Sequence, residues 1–209
     1  LEPHSGVKIV VKLLAMSPCC RTYSKADSSN SGRDNNYRLH GKADKDGTRP
    51  PKDSTSVKGK MAHEADRMVQ RGIQLTSYLA NSQSSDMSLY MENPVGSLAR
   101  RGFMRDWTES GKVIKETVHY CAYDHCYHKP TNIWTNMKWW RPKGRTGTGR
   151  CEEKCQTGYR NHTGRWAHEF KIAQASQKAA GGLGRKARKN MMPYWLHMEL
   201  IHAADTNPF

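Results

Sequence analysis

Apolar positions near the start of the chain form an almost continuous run. Residues 7–15, Val-Lys-Ile-Val-Val-Lys-Leu-Leu-Ala, are rich in β-branched side chains, as in a parallel strand covered on both faces. The run stops at Ser17-Pro18, a local breaker. Residues 24–60 are polar, rich in Ser, Asp, Asn, Gly and Lys, and contain Pro50-Pro51, so they read as a long loop. Over 61–80 the period becomes helical. Met61, Ala65, Met68, Val69, Gly72, Thr76 and Leu79 share one stripe, while Glu64, Arg67, Gln70 and Arg71 lie away from it. A turn over 81–86 and a strand over 87–91, ending at Glu92-Asn93-Pro94, complete a strand–helix–strand unit. A helix between two strands implies that the strands are parallel.

Further along, 113–123 and 132–140 read as strands. In the first of these, Val113, Thr117 and His119 alternate against Ile114, Val118 and Tyr120. Residues 141–165 are rich in Gly and Arg and read as a loop or small subdomain; 166–180 fit a helix, and 181–188 a basic, Gly-interrupted linker. Residues 193–204 read as a closing helix with Pro193 in an allowed first-turn position. The chain thus divides into an α/β portion over 1–140, a basic loop-rich insert over 141–190, and a C-terminal helix over 191–209 that packs back on the first portion.

Composition adds the class of partner. The 209 residues carry 34 Lys and Arg against 19 Asp and Glu, a formal charge of +15, which favours polyanions, nucleic acid ahead of an anionic membrane surface. Only 36% of residues are hydrophobic, yet six Trp and nine Tyr need a core to bury them, so long polar segments must surround a folded centre. No stretch has the roughly 18 apolar residues of a membrane helix. The run over 7–16 is broken by Lys8 and Lys12 and has no signal-peptide cleavage site. Cys19, Cys20, Cys121, Cys126, Cys151 and Cys155 show no framework spacing. They read as reduced thiols, which points to an intracellular setting, nucleus or cytoplasm. The sequence opens at Leu1 without an initiator Met, which reads as a processing or fragment boundary.

Two loops carry candidate chemistry. Ser17-Pro18-Cys19-Cys20-Arg21-Thr22-Tyr23-Ser24 leaves the carboxyl end of the first strand, where ligands sit in open α/β sheets. Basic neighbours Arg21 and Lys25 favour the thiolate, the reactive form of cysteine. Glu92 leaves the next strand, where a carboxylate can protonate or hydrogen-bond a substrate ring nitrogen. Taken singly, each reads more simply as a strand-end residue, a small thiol or a turn acid. Adjacent parallel strands, however, deliver both to one crevice.

In order and spacing, this arrangement resembles the nucleophile and acid motifs of DNA cytosine-5 methyltransferases, Gly-Pro-Pro-Cys-Gln-x-Phe-Ser followed by Glu-Asn-Val. Tyr23-Ser24 matches the Phe-Ser; Cys19 replaces the second Pro, Arg21 the Gln, and Pro94 the Val. The stretches 92–98 and 129–136 are similar to a branch of such enzymes from viruses and some microbial eukaryotes. The resemblance implies the C-terminal half of a Rossmann-like methyltransferase sheet. It also implies methyl transfer from S-adenosylmethionine to a cytosine flipped out of DNA. Cys20 would attack ring carbon six and Glu92 would act at the ring nitrogen. Arg21, Ser24, Asn93, Pro94, Lys129 and Thr131 would surround the base, Lys129 and Thr131 aligning with an Arg-x-Arg pair of the family. Pro18 and Asn190 would lie beside the methyl donor, and the loop after Cys20 would close over the DNA. Only 16 residues precede the motif, too few for the upstream strand–helix units of the donor site. The chain is therefore expected to hold half a cofactor pocket, as a fragment, with a partner supplying the rest, or as a non-catalytic remnant that still binds nucleic acid.

The insert occupies the position of the family's target-recognition region, and its basic residues, like Arg185-Lys186-Ala187-Arg188-Lys189, suit phosphate contacts or a solvated surface. Cys151 and Cys155, with His162 or His168 downstream, are the candidate metal ligands. Because zinc knuckles more often show tighter pairs, the spacing favours two loop cysteines without a metal. A Cys/His zinc-binding interaction protein is the remaining alternative class.

Overall fold

The computed structural model describes residues 10–23, 37, 55–82, 87–168 and 191–206. Four strands form one sheet: β1 (Leu13–Met16), β2 (Ser88–Pro94), β3 (Ile114–His119) and β4 (Pro130–Thr135), in the order β1-β2-β4-β3. β1 pairs parallel with β2, while β4 runs antiparallel to both β2 and β3. The strand–helix–strand unit read from the sequence is therefore present. Its helix, α1 (Val57–Ser82), crosses between the two parallel strands.

Alternation along β2 builds two cores. Leu89 and Met91 join Trp134 of β4, Ala65 and Val69 of α1, and Met104 and Trp107 of a short helix α2 (Gly102–Glu109). Tyr90 faces the other way and packs with Val118, Ile133 and three residues of α3 (Tyr194–Asp205): Leu196, Leu200 and Ala203. The sheet is covered on both faces, which explains why its central strand shows no exposed position before Pro94. Where α1 crosses β1, a side chain at Gly72 would come within 3.1 Å of the Met16 sulfur, so glycine permits the close approach.

Several boundaries differ from those read in the sequence. Within the described part of 7–15, strand pairing is confined to 13–16. α1 begins at Val57, inside the segment read as loop, because the Ser56 hydroxyl caps it by accepting the Gly59 N–H at 3.0 Å. Its buried stripe centres on Ala62, Ala65 and Val69, which leaves Met61 and Met68 at the surface. The strand expected over 113–123 ends at His119, and Tyr120–Tyr123 form a 3-10 turn closed by Asp124 at a φ of 62°. The strand expected over 132–140 stops at Thr135. There the Asn136 side chain takes over the pairing, accepting the Leu89 N–H and donating to the Met87 carbonyl, both at 2.8 Å.

Trp166–His168 are not helical but form β6, paired antiparallel with β5 (Gly158–Arg160). The turn between them is built by Asn161, whose Oδ1 accepts the Thr163 and Arg165 N–H groups, both at 3.0 Å. Residues 7–9, the rest of the long loop, the remainder of the helix expected over 166–180 and the basic linker lie outside the described residues.

Candidate active site

Parallel register sets the geometry. Met16 of β1 stands opposite Met91 of β2, so the next residues, Ser17 just past β1 and Glu92 two residues before the end of β2, stand side by side. The Ser17 hydroxyl donates to Glu92 Oε1 at 2.5 Å. One residue further on, the Asn93 amide donates to the Pro18 carbonyl at 3.0 Å, tying the two loops together. Cys20 opens a 3-10 turn, Cys20–Thr22.

The antiparallel pair brings more groups to this end. Pro94 stands opposite Thr131, and His119 opposite Pro130, so Lys129 and Tyr120 flank the same corner. Tyr120 donates its hydroxyl to Glu92 Oε2 at 3.2 Å. The Lys129 ammonium sits 4.5 Å from the centre of the Tyr120 ring, in range for cation–π attraction. Both carboxylate oxygens of Glu92 are thus engaged, and Glu92 and Lys129 are each only 5% exposed. Thr131 is fully buried, its hydroxyl directed at the Lys129 carbonyl.

Cys20 is half-buried between these charges. Burial pushes its thiol above the ordinary value, Lys129 draws it back down, and Glu92 pushes it up again. The net effect is a raised value, burial being the largest cause, with Lys129 and Glu92 acting in opposite directions.

The loop carrying Cys20 is anchored from behind. Tyr23 is buried and donates to Asp66 Oδ1 on α1 at 2.7 Å, and Asp66 Oδ2 pairs with Arg101 at 2.8 Å. The Tyr23 carbonyl accepts the Ser97 N–H at 2.9 Å. Cys20 is thereby set between an anchored turn and two strand ends.

The structure gathers Cys20, Glu92, Asn93, Pro94, Lys129 and Thr131 at one end of the sheet. Arg21 is exposed, with its guanidinium 5.7 Å from the centre of the Tyr37 ring. Ser24 and Asn190 lie outside the described residues. Sequence reasoning passed over Tyr120 and the anchoring pair Asp66–Arg101, and gave Ser17 no role of its own. The signal for Ser17 was present in the parallel register, whereas Tyr120 was hidden by the 3-10 turn.

The Cys/His grouping in the insert differs from the one the spacing suggested. Cys151 and Cys155 meet His168 and Cys121, whereas His162 is exposed on the β5–β6 turn. Among the described residues, no helix is long and apolar enough to cross a membrane.

Comparison with known proteins gives one informative likeness. Over 180 residues the chain is 28% identical to the "Probable DNA (cytosine-5)-methyltransferase" of Frog virus 3 (isolate Goorha). The match takes in 85% of this chain and 66% of the viral protein, so the chain spans just under two-thirds of that relative's length. No family model and no solved structure matches.

Proposed function

We propose that the chain carries the cytosine-binding and nucleophilic part of a DNA cytosine-5 methyltransferase. The observation that supports this most is the convergence of Cys20, Glu92 and Lys129, from three separate segments, on one corner of the sheet. The likeness to the viral methyltransferase agrees with it.

In this reading a cytosine flipped from the duplex enters beside Cys20, since its reacting carbons are inaccessible in the stack. The Cys20 thiol gives up its proton to solvent, helped by the Lys129 charge, and its sulfur bonds to ring carbon six as the double bond between carbons five and six opens. Glu92, oriented by the Ser17 and Tyr120 hydroxyls, takes up a proton from solvent as the base enters and passes it to the ring nitrogen, so that negative charge does not accumulate on the base. The resulting electron-rich carbon five is the methyl acceptor; its hydrogen then leaves as a proton to solvent, the double bond to carbon six re-forms, and the Cys20 sulfur is expelled. Lys129 also places a positive charge against the bound base, as a point donor rather than a planar fork. Asn93 and the Pro18 carbonyl hold the two loops in register while the ring is engaged.

S-adenosylmethionine, the donor the resemblance implies, would supply the methyl group. In this reading the described residues supply the side of the site that meets the cytosine. Of the two expected donor contacts, Asn190 lies outside the described residues, and Pro18 is held by the Asn93 amide on its carbonyl.

The test is transfer of label from S-adenosylmethionine to the carbon-five position of cytosine in duplex DNA. Cys20→Ser is expected to abolish it, and Glu92→Gln to lower it by about 10²–10⁴-fold, the usual worth of a positioned acid. Transfer that survives Cys20→Ser would contradict the assignment. DNA binding without any transfer by the wild-type chain would favour the second reading, a nucleic-acid-binding remnant.

A further inference from the structure

Apart from the corner of the sheet that holds Cys20, one cluster collects ligand atoms suited to a metal. Cys121 lies in the turn after β3, Cys151 and Cys155 bracket a tight turn before β5, and His168 ends β6. Their ligand atoms all lie within 4.8 Å of one another. The Cys151 and Cys155 sulfurs are 3.4 Å apart, and His168 Nε2 is 3.6 Å from the first and 3.0 Å from the second.

These separations suit a tetrahedral ion. With Zn–S near 2.3 Å and Zn–N near 2.0–2.1 Å, tetrahedral edges come to about 3.8 Å between sulfurs and about 3.6 Å from sulfur to nitrogen. With every separation within 4.8 Å, no edge needs to change by more than about 1.2 Å to reach them. A disulfide would instead require about 2.05 Å between sulfurs, and all six cysteines are free.

Burial and packing point the same way. Cys121 is 1% exposed, Cys155 3% and Cys151 6%. Among the described residues, these three thiols form a buried cluster of their own, with Trp166 packed against them. The hairpin above has three residues in each strand, and an isolated hairpin of that size is marginal in water. Small units of this kind need a staple such as a metal to hold a fixed shape. Outer groups already orient the ligands. The Thr157 hydroxyl points at the Cys155 sulfur from 3.9 Å, and the His168 ring stacks on His128 with centroids 5.0 Å apart. Such contacts fix ligand direction around metals.

We propose that Cys121, Cys151, Cys155 and His168 bind one zinc ion, a closed structural centre that fastens the basic insert to the end of β3. With four protein ligands it has no open position, so its role is to hold shape and not to activate water. It joins three stretches of chain: the turn after β3, the turn before β5, and the end of β6. It also anchors the turn that carries Tyr120, whose hydroxyl bonds Glu92, so the ion supports the candidate active site from one residue away.

The full chain, purified reduced and without chelator, is expected to carry about one zinc per molecule by elemental analysis. Cobalt(II) replacing the zinc should show the visible bands of a tetrahedral thiolate centre. His168→Ala and Cys155→Ser should lose most of the metal, whereas His162→Ala and Cys126→Ser should keep it. Where a ligand variant fails to fold, the cobalt spectrum of the wild-type chain decides. Absence of both zinc and a tetrahedral cobalt spectrum in the reduced wild-type chain would overturn the proposal. Retention of full zinc by a folded His168→Ala would do so too, as would loss of zinc on His162→Ala alone.

Discussion

Cys20 shows what one residue inherits from three strand ends. Burial alone would leave a thiol protonated and slow, but Lys129 opposes that burial while Glu92 reinforces it. The direction of each effect gives an expected sign for two substitutions. In a Cys19→Ser background, alkylation of Cys20 by iodoacetamide should rise with pH through a midpoint above the ordinary thiol value of 9.0. Lys129→Met removes the charge that favours thiolate, so the midpoint should move further up and alkylation at a mildly alkaline pH should slow. Glu92→Gln removes the opposing charge, so the midpoint should move down and alkylation should quicken, even as methyl transfer is lost. Midpoints unmoved, or moved together, would show that the three groups are not coupled. That Cys20 and Glu92 come to the same end of the sheet was legible in the sequence because a strand–helix–strand unit makes their two strands parallel. Tyr120 was not, because an alternating apolar pattern runs on through a turn whose side chains are all buried.

Among elements, α3 carries a residue whose weight no periodicity reveals. Glu199 Oε1 accepts the Trp140 indole N–H at 3.0 Å, the Lys143 N–H at 3.2 Å and the Tyr123 hydroxyl at 3.3 Å, while Oε2 accepts the Gly144 N–H at 3.1 Å. One carboxylate thus binds the closing helix to the turn after β3 and to the start of the insert. Gly144 is required there. Its φ is 52°, and a Cβ would fall 2.6 Å from the Ala122 carbonyl oxygen, so the backbone can approach only without a side chain. Glu199→Ala leaves these donors without their acceptor and should lower the unfolding free energy by about 2–4 kcal/mol in urea denaturation. A loss below about 0.5 kcal/mol would mean that water replaces the carboxylate at little cost. The helix itself was readable from its apolar positions and from Pro193. The hub was not, because a glutamate on a helix is ordinarily a solvated residue.

At the scale of the whole molecule, the sheet and its crossover helix were legible because hydrophobic period reports burial directly. The short helix α2 escaped because eight residues are too few to establish a period. Of the β5–β6 hairpin, β5 fell in the stretch read as a loop and β6 at the start of the expected helix, because strands of three residues are too short to show a period and their turn is built by the Asn161 side chain. The cluster was half visible: the Cys151–Cys155 pair is local, while Cys121 joins it only through the fold. A formal charge of +15 on 209 residues suits a polyanionic substrate, but charge does not name the reaction. That rests on Cys20 reaching a cytosine ring. The direct measurement uses a DNA duplex bearing 5-fluorocytosine, with S-adenosylmethionine present, because fluorine replaces the hydrogen whose departure would free the enzyme. The account predicts a protein–DNA adduct that survives denaturation, maps to Cys20 and is absent from Cys20→Ser. An adduct on any other residue, an equal adduct from Cys20→Ser, or none where the chain is seen to bind the duplex would contradict it.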